Sequence, residues 1–275
     1  MEHKRTKSLG TASAPLITAL YDENKTIFTI DDIVRINKVS RTTAAKLAFD
    51  LVKRSVISRL KSGKYIIIPQ EAGSLERFTG NWLVAAREIA NSAGYYIAFY
   101  SAMKHWGMTT QPLIKVFVAT PKRQKPPKGM RDKICLVLLE KKYIWAVSEE
   151  WATKTEKVRI SDLEKTLLDS LAYPQYCGGI TEAAKGLWLV KEKIDFIRLL
   201  RYVKKYGKNI VAKRLGYLLE ILEISKEGVL AELQKSVKNR YDLLDPAAGK
   251  TARGKNRWKL LDNIGKDQIL KIISH

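Results

Sequence analysis

The stretch "TIDDIVRINKVSRTTAAKLAFDLVKRSVISRLKSGKYIIIP", residues 29–69, narrows the fold more than any other part of the chain. Thr29 followed three residues later by Asp32 is a helix start of the capping-box type, although Glu or Gln is the preferred partner at that place. Ile30, Ile33, Val34 and Ile36 give the short helix its apolar side. "NKV" makes the next turn, with Asn37 suited to a left-handed backbone. Ser40 then caps a second helix whose buried face is Ala44, Leu47, Ala48 and Leu51.

That spacing leaves Arg41, Thr42, Thr43, Ala45 and Lys46 outward near the start of the second helix. In a helix-turn-helix these positions enter the major groove, where Arg and Lys pair with guanine edges while Ser and Thr hold phosphates. "VISRL" and "KYIIIP", separated by "KSG", predict a hairpin whose tip carries Lys61 and Gly63. A preceding helix over about Pro15 to Tyr21 adds Leu16, Ile17 and Leu20 to the small core. The expectation is a winged helix-turn-helix over residues 1–72. Its DNA contacts are Ser40, Arg41, Thr42, Thr43 and Lys46, with Lys61 and Lys64 holding phosphate from the wing.

Charge points the same way. A formal net charge of +22 fits either an anionic partner, nucleic acid foremost, or a surface charged for solubility. The excess is not confined to the opening motif, since residues 198–275 carry 18 Lys or Arg against 8 Asp or Glu. With 275 residues, 45% of them hydrophobic, the chain is expected to form two domains with a real core. It lacks an apolar run long enough for a bilayer, and "MEHKRTKSLGTASAP" lacks the apolar core of a secretory signal, so a cytoplasmic protein is expected. Cys135 and Cys177 lie far apart, outside any metal-ligand spacing, and two of the three histidines stand near the chain's ends. No metal or cofactor is expected.

Residues 70–80 read as a linker, and 80–275 as a larger mixed α/β domain ending in helices, making the fold class α+β. "NWLVAAREIANSAG" predicts a helix ending at Gly94, "YYIAFYSAMKHWGM" a short strand running into a helix closed by Gly107. "IKVFVAT" is a strand and "KICLVLLEKKYIWAV" holds one or two more. Between them "PKRQKPPKGMRDK" predicts a long basic loop, either a solvated hairpin loop or an arm that takes phosphate or a partner. In "VRISDLEKTLLDSLAYPQYCGGITEAAKGL", Ser161 and Glu164 suggest a capping box, and Leu163, Leu167, Leu168 and Leu171 one apolar face. Pro174 ends that helix, and "CGG" at 177–179 forces a tight turn. Two further helices divided at Gly207 carry Arg198, Arg201, Lys204, Lys205, Lys208, Lys213 and Arg214. With Tyr202 and Tyr206 they suggest a basic surface for RNA, DNA or an acidic protein.

Signs of catalysis are weak, and no catalytic residue is assigned. "GKT" at 249–251 lacks the first glycine of a phosphate-binding loop, because Leu244 stands there; a basic loop that sets Trp258 against the domain fits better. His105 in "AMKHWGM" has no serine elbow beside it and is expected to be packed and hydrogen-bonded. The enzymatic alternative is a metal-dependent nuclease using Asp132, Glu140 and Lys142, or Asp162, Glu164 and Lys165.

Taken together, the winged helix at 14–69, "YYIAFYSAMKHWGM", "SDLEKTLLDSLAYPQYCGG" and "AKRLGYLLEIL" resemble the AbiEi antitoxins of type IV toxin–antitoxin, or abortive infection, systems. The resemblance covers most of the chain, and the "SDLEKTLLDSLAYPQYCGG" block is its most specific part. It implies that the winged helix binds inverted repeats in double-stranded operator DNA and represses its own promoter. It also implies that the C-terminal domain opposes a nucleotidyltransferase toxin without a stable complex; beside it stands the third reading, a transcription regulator unconnected with a toxin.

Overall fold

Thr29 and Asp32 do form the expected cap. Asp32 N donates to Thr29 Oγ1 at 3.4 Å and Thr29 N to Asp32 Oδ2 at 2.8 Å, at the start of α2 (Ile30–Asn37). Burial pushes the Asp32 carboxyl up, but hydrogen bonds from Lys25 and Thr29 outweigh it and hold the group below its usual range. The computed structural model describes residues 10–68, 79–91, 94–127, 130–224, 226–249, 251–252 and 254–273. Around α2, α1 (Ser13–Asp22) and α3 (Arg41–Lys53) bury Leu16, Leu20, Ile33, Ala44, Ala48 and Leu51 in one core.

β2 (Ile57–Lys61) and β3 (Lys64–Ile67) make the expected hairpin, with Gly63 at φ +70° in its turn. A third strand joins them. β1 (Ile27–Thr29) pairs antiparallel with β3, giving the order β1-β3-β2. The sequence α1-β1-α2-α3-β2-β3 with that sheet order is compatible with a winged helix. One expectation needs correction: the left-handed residue between α2 and α3 is Lys38, at φ 53° and ψ 42°. Asn37 closes α2 instead, and its Nδ2 donates to Ala12 O at 2.7 Å, tying the end of α2 to the start of α1.

Of the expected linker, residues 70–78 lie outside the described residues, and Thr79 already belongs to α4 (Thr79–Ala90). A five-stranded sheet follows. Its strands are β4 (Tyr96–Ile97), β5 (Val116–Thr120), β6 (Ile134–Leu138), β7 (Val147–Trp151) and β8 (Lys157–Ser161), in the order β6-β5-β4-β8-β7. On one face α4 brings Val84 and Ala86 against Val118, Ile134, Val158 and Ile160. Leu60 and Ile66 from the back of the wing belong to this same cluster.

β5 and β6 run parallel, from Val116 opposite Ile134 to Thr120 opposite Leu138. The basic stretch between them is therefore a crossover and not a hairpin loop, because parallel neighbours need a connection that travels back along the strand. Met130, 1% exposed, roots it in the core; Lys128 and Gly129 lie outside the described residues.

The other face of the sheet carries α5 (Phe99–His105) and a helical layer. That layer comprises α6 (Leu163–Ala172), α7 (Ile180–Leu189), α8 (Phe196–Tyr206) and α9 (Asn209–Ile221). α6 does not begin with a Ser161–Glu164 box. Ser161 is held in β8 opposite Val147 and its hydroxyl meets Thr166 Oγ1 at 2.8 Å, so the cap falls to Asp162, which accepts from Lys165 N at 2.8 Å. Glu164 turns inward and accepts from Asp195 N at 3.0 Å.

α6 is buried on every side, not along one leucine stripe: Glu164, Lys165, Thr166, Asp169 and Ser170 are all inside. The polar members satisfy one another. Lys165 pairs with Asp169, which also accepts from Tyr96 OH at 3.0 Å and Tyr206 OH at 2.7 Å. The chain ends with α10 (Val229–Lys235), short strands β9 (Asp242–Leu243), β10 (Gly254–Lys255) and β11 (Leu260–Asp262), and α11 (Lys266–Ile273). Trp258 is fully buried against Gly216 of α9, where an added Cβ would lie 2.1 Å from its ring.

Candidate nucleic-acid interface

The apolar residues of α3 fix which of its side chains reach solvent. With Ala44, Ala48 and Leu51 turned inward, Thr42, Lys46, Phe49 and Lys53 line the opposite side at helical spacing, and all four are exposed. Lys46 makes no hydrogen bond or ion pair among the described residues. Phe49 is 67% exposed, an unusual place for a large ring. Sequence reasoning passed over Phe49 and Lys53, although the inward triad already leaves both outside.

The other expected contacts are partly engaged. Ser40 Oγ accepts from Thr43 N at 3.2 Å and lies 3.0 Å from Thr43 Oγ1, so these two hydroxyls serve the helix cap. Arg41 pairs with Asp31 of α2, both side chains being about three quarters exposed. Such a pair contributes no more than about 1 kcal/mol and yields readily to a phosphate or a base edge.

On the wing, both lysines are engaged by an acid, although each side chain is still about a third exposed. Lys64 Nζ lies 2.6 Å and Lys61 Nζ 3.3 Å from Glu88 Oε2 on α4, and Lys61 Nζ also donates to Asn91 Oδ1 at 3.2 Å. The exposed cation of the hairpin is Arg59, another residue the sequence reasoning passed over.

The C-terminal basic set separates into two kinds. Lys213 and Arg214 are not on the surface: Lys213 is 0% and Arg214 4% exposed. α9 is buried through most of its length, and both side chains reach across it to fasten the final strands. Lys213 Nζ meets Asp242 Oδ2 at 2.7 Å; Arg214 donates to Leu171 O at 2.6 Å and Leu243 O at 3.2 Å. Burial lowers the Arg214 guanidinium to about 10.

The remaining members lie on or beside the outer side of α8. Arg198 faces Glu164 at 3.4 Å and Asp195 at 3.6 Å, and Lys204 faces Glu232 at 2.7 Å. Arg201 and Lys205 are exposed, and Lys208 donates to Tyr173 OH at 2.5 Å.

The carboxylates proposed for a nuclease are not brought together. Glu140 pairs at the surface with Lys142 at 2.8 Å, Asp162 caps α6, and Glu164 and Lys165 are interior. Among the described residues, no three His, Cys, Asp or Glu side chains converge as metal ligands. His105 is exposed, edge-on to Trp106, and not packed as expected. Cys177 is buried and its thiol is pushed well up by that burial. Among the described residues, no helix is long and apolar enough to cross a membrane.

No family model matches the chain, and no curated protein matches its sequence. Its fold does have a relative. The chain resembles the Rv2827c protein of Mycobacterium tuberculosis. That crystal structure matches 98% of this chain and 97% of its own, with a TM-score of 0.67 at 16% sequence identity. At such identity the likeness establishes the shared fold.

Proposed function

We propose that the chain is an autorepressor and antitoxin of a type IV toxin–antitoxin system, acting in the cytoplasm. On this reading the winged helix binds inverted repeats in its own operator. The larger part opposes a nucleotidyltransferase toxin without a stable complex, and no catalytic group is assigned to the chain.

The observation that carries the DNA half is the outward face of α3, where Thr42, Lys46, Phe49 and Lys53 stand in one exposed row beside Arg41. Arg41 and Lys46 suit guanine edges or phosphates, and an exposed phenylalanine suits a thymine methyl group. Arg59 takes phosphate from the hairpin, while Lys61 and Lys64 do so only on leaving Glu88. The antitoxin half rests on the family resemblance of the "SDLEKTLLDSLAYPQYCGG" block, which forms α6 and the turn after it.

The test is a footprint on the chain's own upstream DNA across a salt series. Protection of an inverted repeat is expected, with log affinity falling by about 0.9 per log of salt for each phosphate neutralised. Protection without sequence preference, unchanged by Arg41→Ala with Lys46→Ala, would overturn the operator role. Co-expression with an adjacent nucleotidyltransferase gene tests the other half, and failure to restore growth would remove it.

A further inference from the structure

α8 does not carry its basic face alone. The connection from β6 to β7, with the short helical turn Lys141–Tyr143 and then Trp145, lies beside it and brings aromatic rings under its lysines. Lys205 Nζ stands 4.7 Å from the centre of the Trp145 ring. Lys208 Nζ stands 4.6 Å from Tyr143 and 4.0 Å from Tyr173, and Lys142 Nζ 5.2 Å from Tyr143. Tyr202 meets Trp145 edge-on at 4.9 Å. All four rings are partly exposed, and Arg201, one turn before Lys205, is exposed.

The rings are held from behind. Tyr143 and Trp145 rest on Tyr206, at 5.2 Å and 6.0 Å between ring centres, and Tyr206 is fixed by its hydrogen bond to the buried Asp169. Nearby acids are already engaged: Glu140 by Lys142, and Asp162 by Lys165 N and Tyr202 OH. Lysines kept only for solubility extend into water, whereas these lie down on rings. The result is a firm aromatic platform rimmed with positive charge.

We propose that this face binds single-stranded nucleic acid, with bases stacking on Tyr143 and Trp145 and the backbone held by Lys142, Arg201, Lys205 and Lys208. Stacking on an aromatic ring is stronger than the exposed ammonium–ring contact it replaces, and the displaced lysines are then free for phosphate. A duplex offers no open base faces to these rings, and an acidic protein would use the cations but leave the rings idle. The site is independent of the operator role, since it shares no residue with the winged helix.

The experiment measures anisotropy of labelled oligoadenylate and oligouridylate RNA with the full chain at low salt, then through a salt series. Binding is expected, abolished by Arg201→Glu with Lys205→Glu, both exposed positions, and equally by Lys142→Glu with Lys205→Glu. Tyr143→Leu should weaken it by about fivefold or more, the lower end for losing one stacked base. Arg41→Ala with Lys46→Ala should leave it unchanged. Absence of binding, loss only in the winged-helix variant, or displacement by polyglutamate as effective as by oligonucleotide would each overturn the proposal, the last making the face a dock for an acidic protein.

Discussion

Lys64 on the wing lies 2.6 Å from Glu88 on α4, so the hairpin expected to hold DNA is fastened to the larger part of the chain through one of its own cations. Burial pushes the Glu88 carboxyl up, but Lys64 and Lys61 outweigh it and set it below its ordinary 4.5. A carboxyl lowered in the fold contributes stability that is complete above its unfolded value and disappears as pH falls through the folded one. Over the window that opens as pH falls below about 4.5, the wild type should therefore lose more stability than Glu88→Gln. Urea midpoints taken through that window check this, and parallel curves would remove Glu88 from the anchoring of the wing.

Freeing the wing should also change DNA binding. Glu88→Gln leaves Lys61 and Lys64 without their carboxylate, so operator affinity is expected to rise and the salt slope to steepen by about 0.9 for each lysine that reaches a phosphate. An unchanged slope in filter binding would mean that the two lysines do not face the DNA.

Lys38 holds a left-handed backbone that costs a residue with a side chain about 1–2 kcal/mol, and it is exposed. Lys38→Gly removes that cost while adding about 0.5–1 kcal/mol of backbone entropy to be lost on folding. A net gain of up to about 1.5 kcal/mol is expected in denaturant unfolding. A loss would show that the lysine side chain contributes to the turn.

Asp169→Asn leaves the Lys165 ammonium in the interior without its counter-charge. Breaking a buried pair on one side typically costs about 3–5 kcal/mol. Combining it with Lys165→Met removes the stranded charge and keeps an acceptor for Tyr96 and Tyr206, so the double variant should unfold at higher denaturant than the single one.

Gly216→Ala puts a methyl where the Trp258 ring already sits. Overpacking of about 1–3 kcal/mol is expected, partly relieved by Trp258→Leu. If Gly216→Ala melts like the wild type, the β9–β11 segment does not depend on that contact.

What the sequence discloses by itself depends on how local the cause is. The Thr29–Asp32 cap, the break at Gly207 (φ 68°) and the turn through Gly178 and Gly179 (φ 79° and 90°) are decided within a few residues, and each stands where its residues place it. β1 is three residues long and exists through pairing with β3, so its own pattern hardly announces it. Lys213 and Arg214 look like surface charges because their acceptors, Asp242, Leu171 and Leu243, come from distant stretches. The ion pairs of Lys61 and Lys64 are hidden for the same reason, their acid lying across the junction on α4. The α3 row is the opposite case, being fixed by helical periodicity alone, and Phe49 was there to be read.

Leu60 and Ile66 turn their side chains away from the small core of the winged helix and into the layer formed by α4 and the sheet. A cut at the junction would therefore not release two finished proteins. The amino-terminal fragment would carry a greasy flank with nothing to cover it, and the remainder an open seam along α4. Anyone isolating the amino-terminal part should keep α4 attached or replace both residues with polar ones. By the same token, a strain applied to the wing is felt directly at the first helix of the larger half.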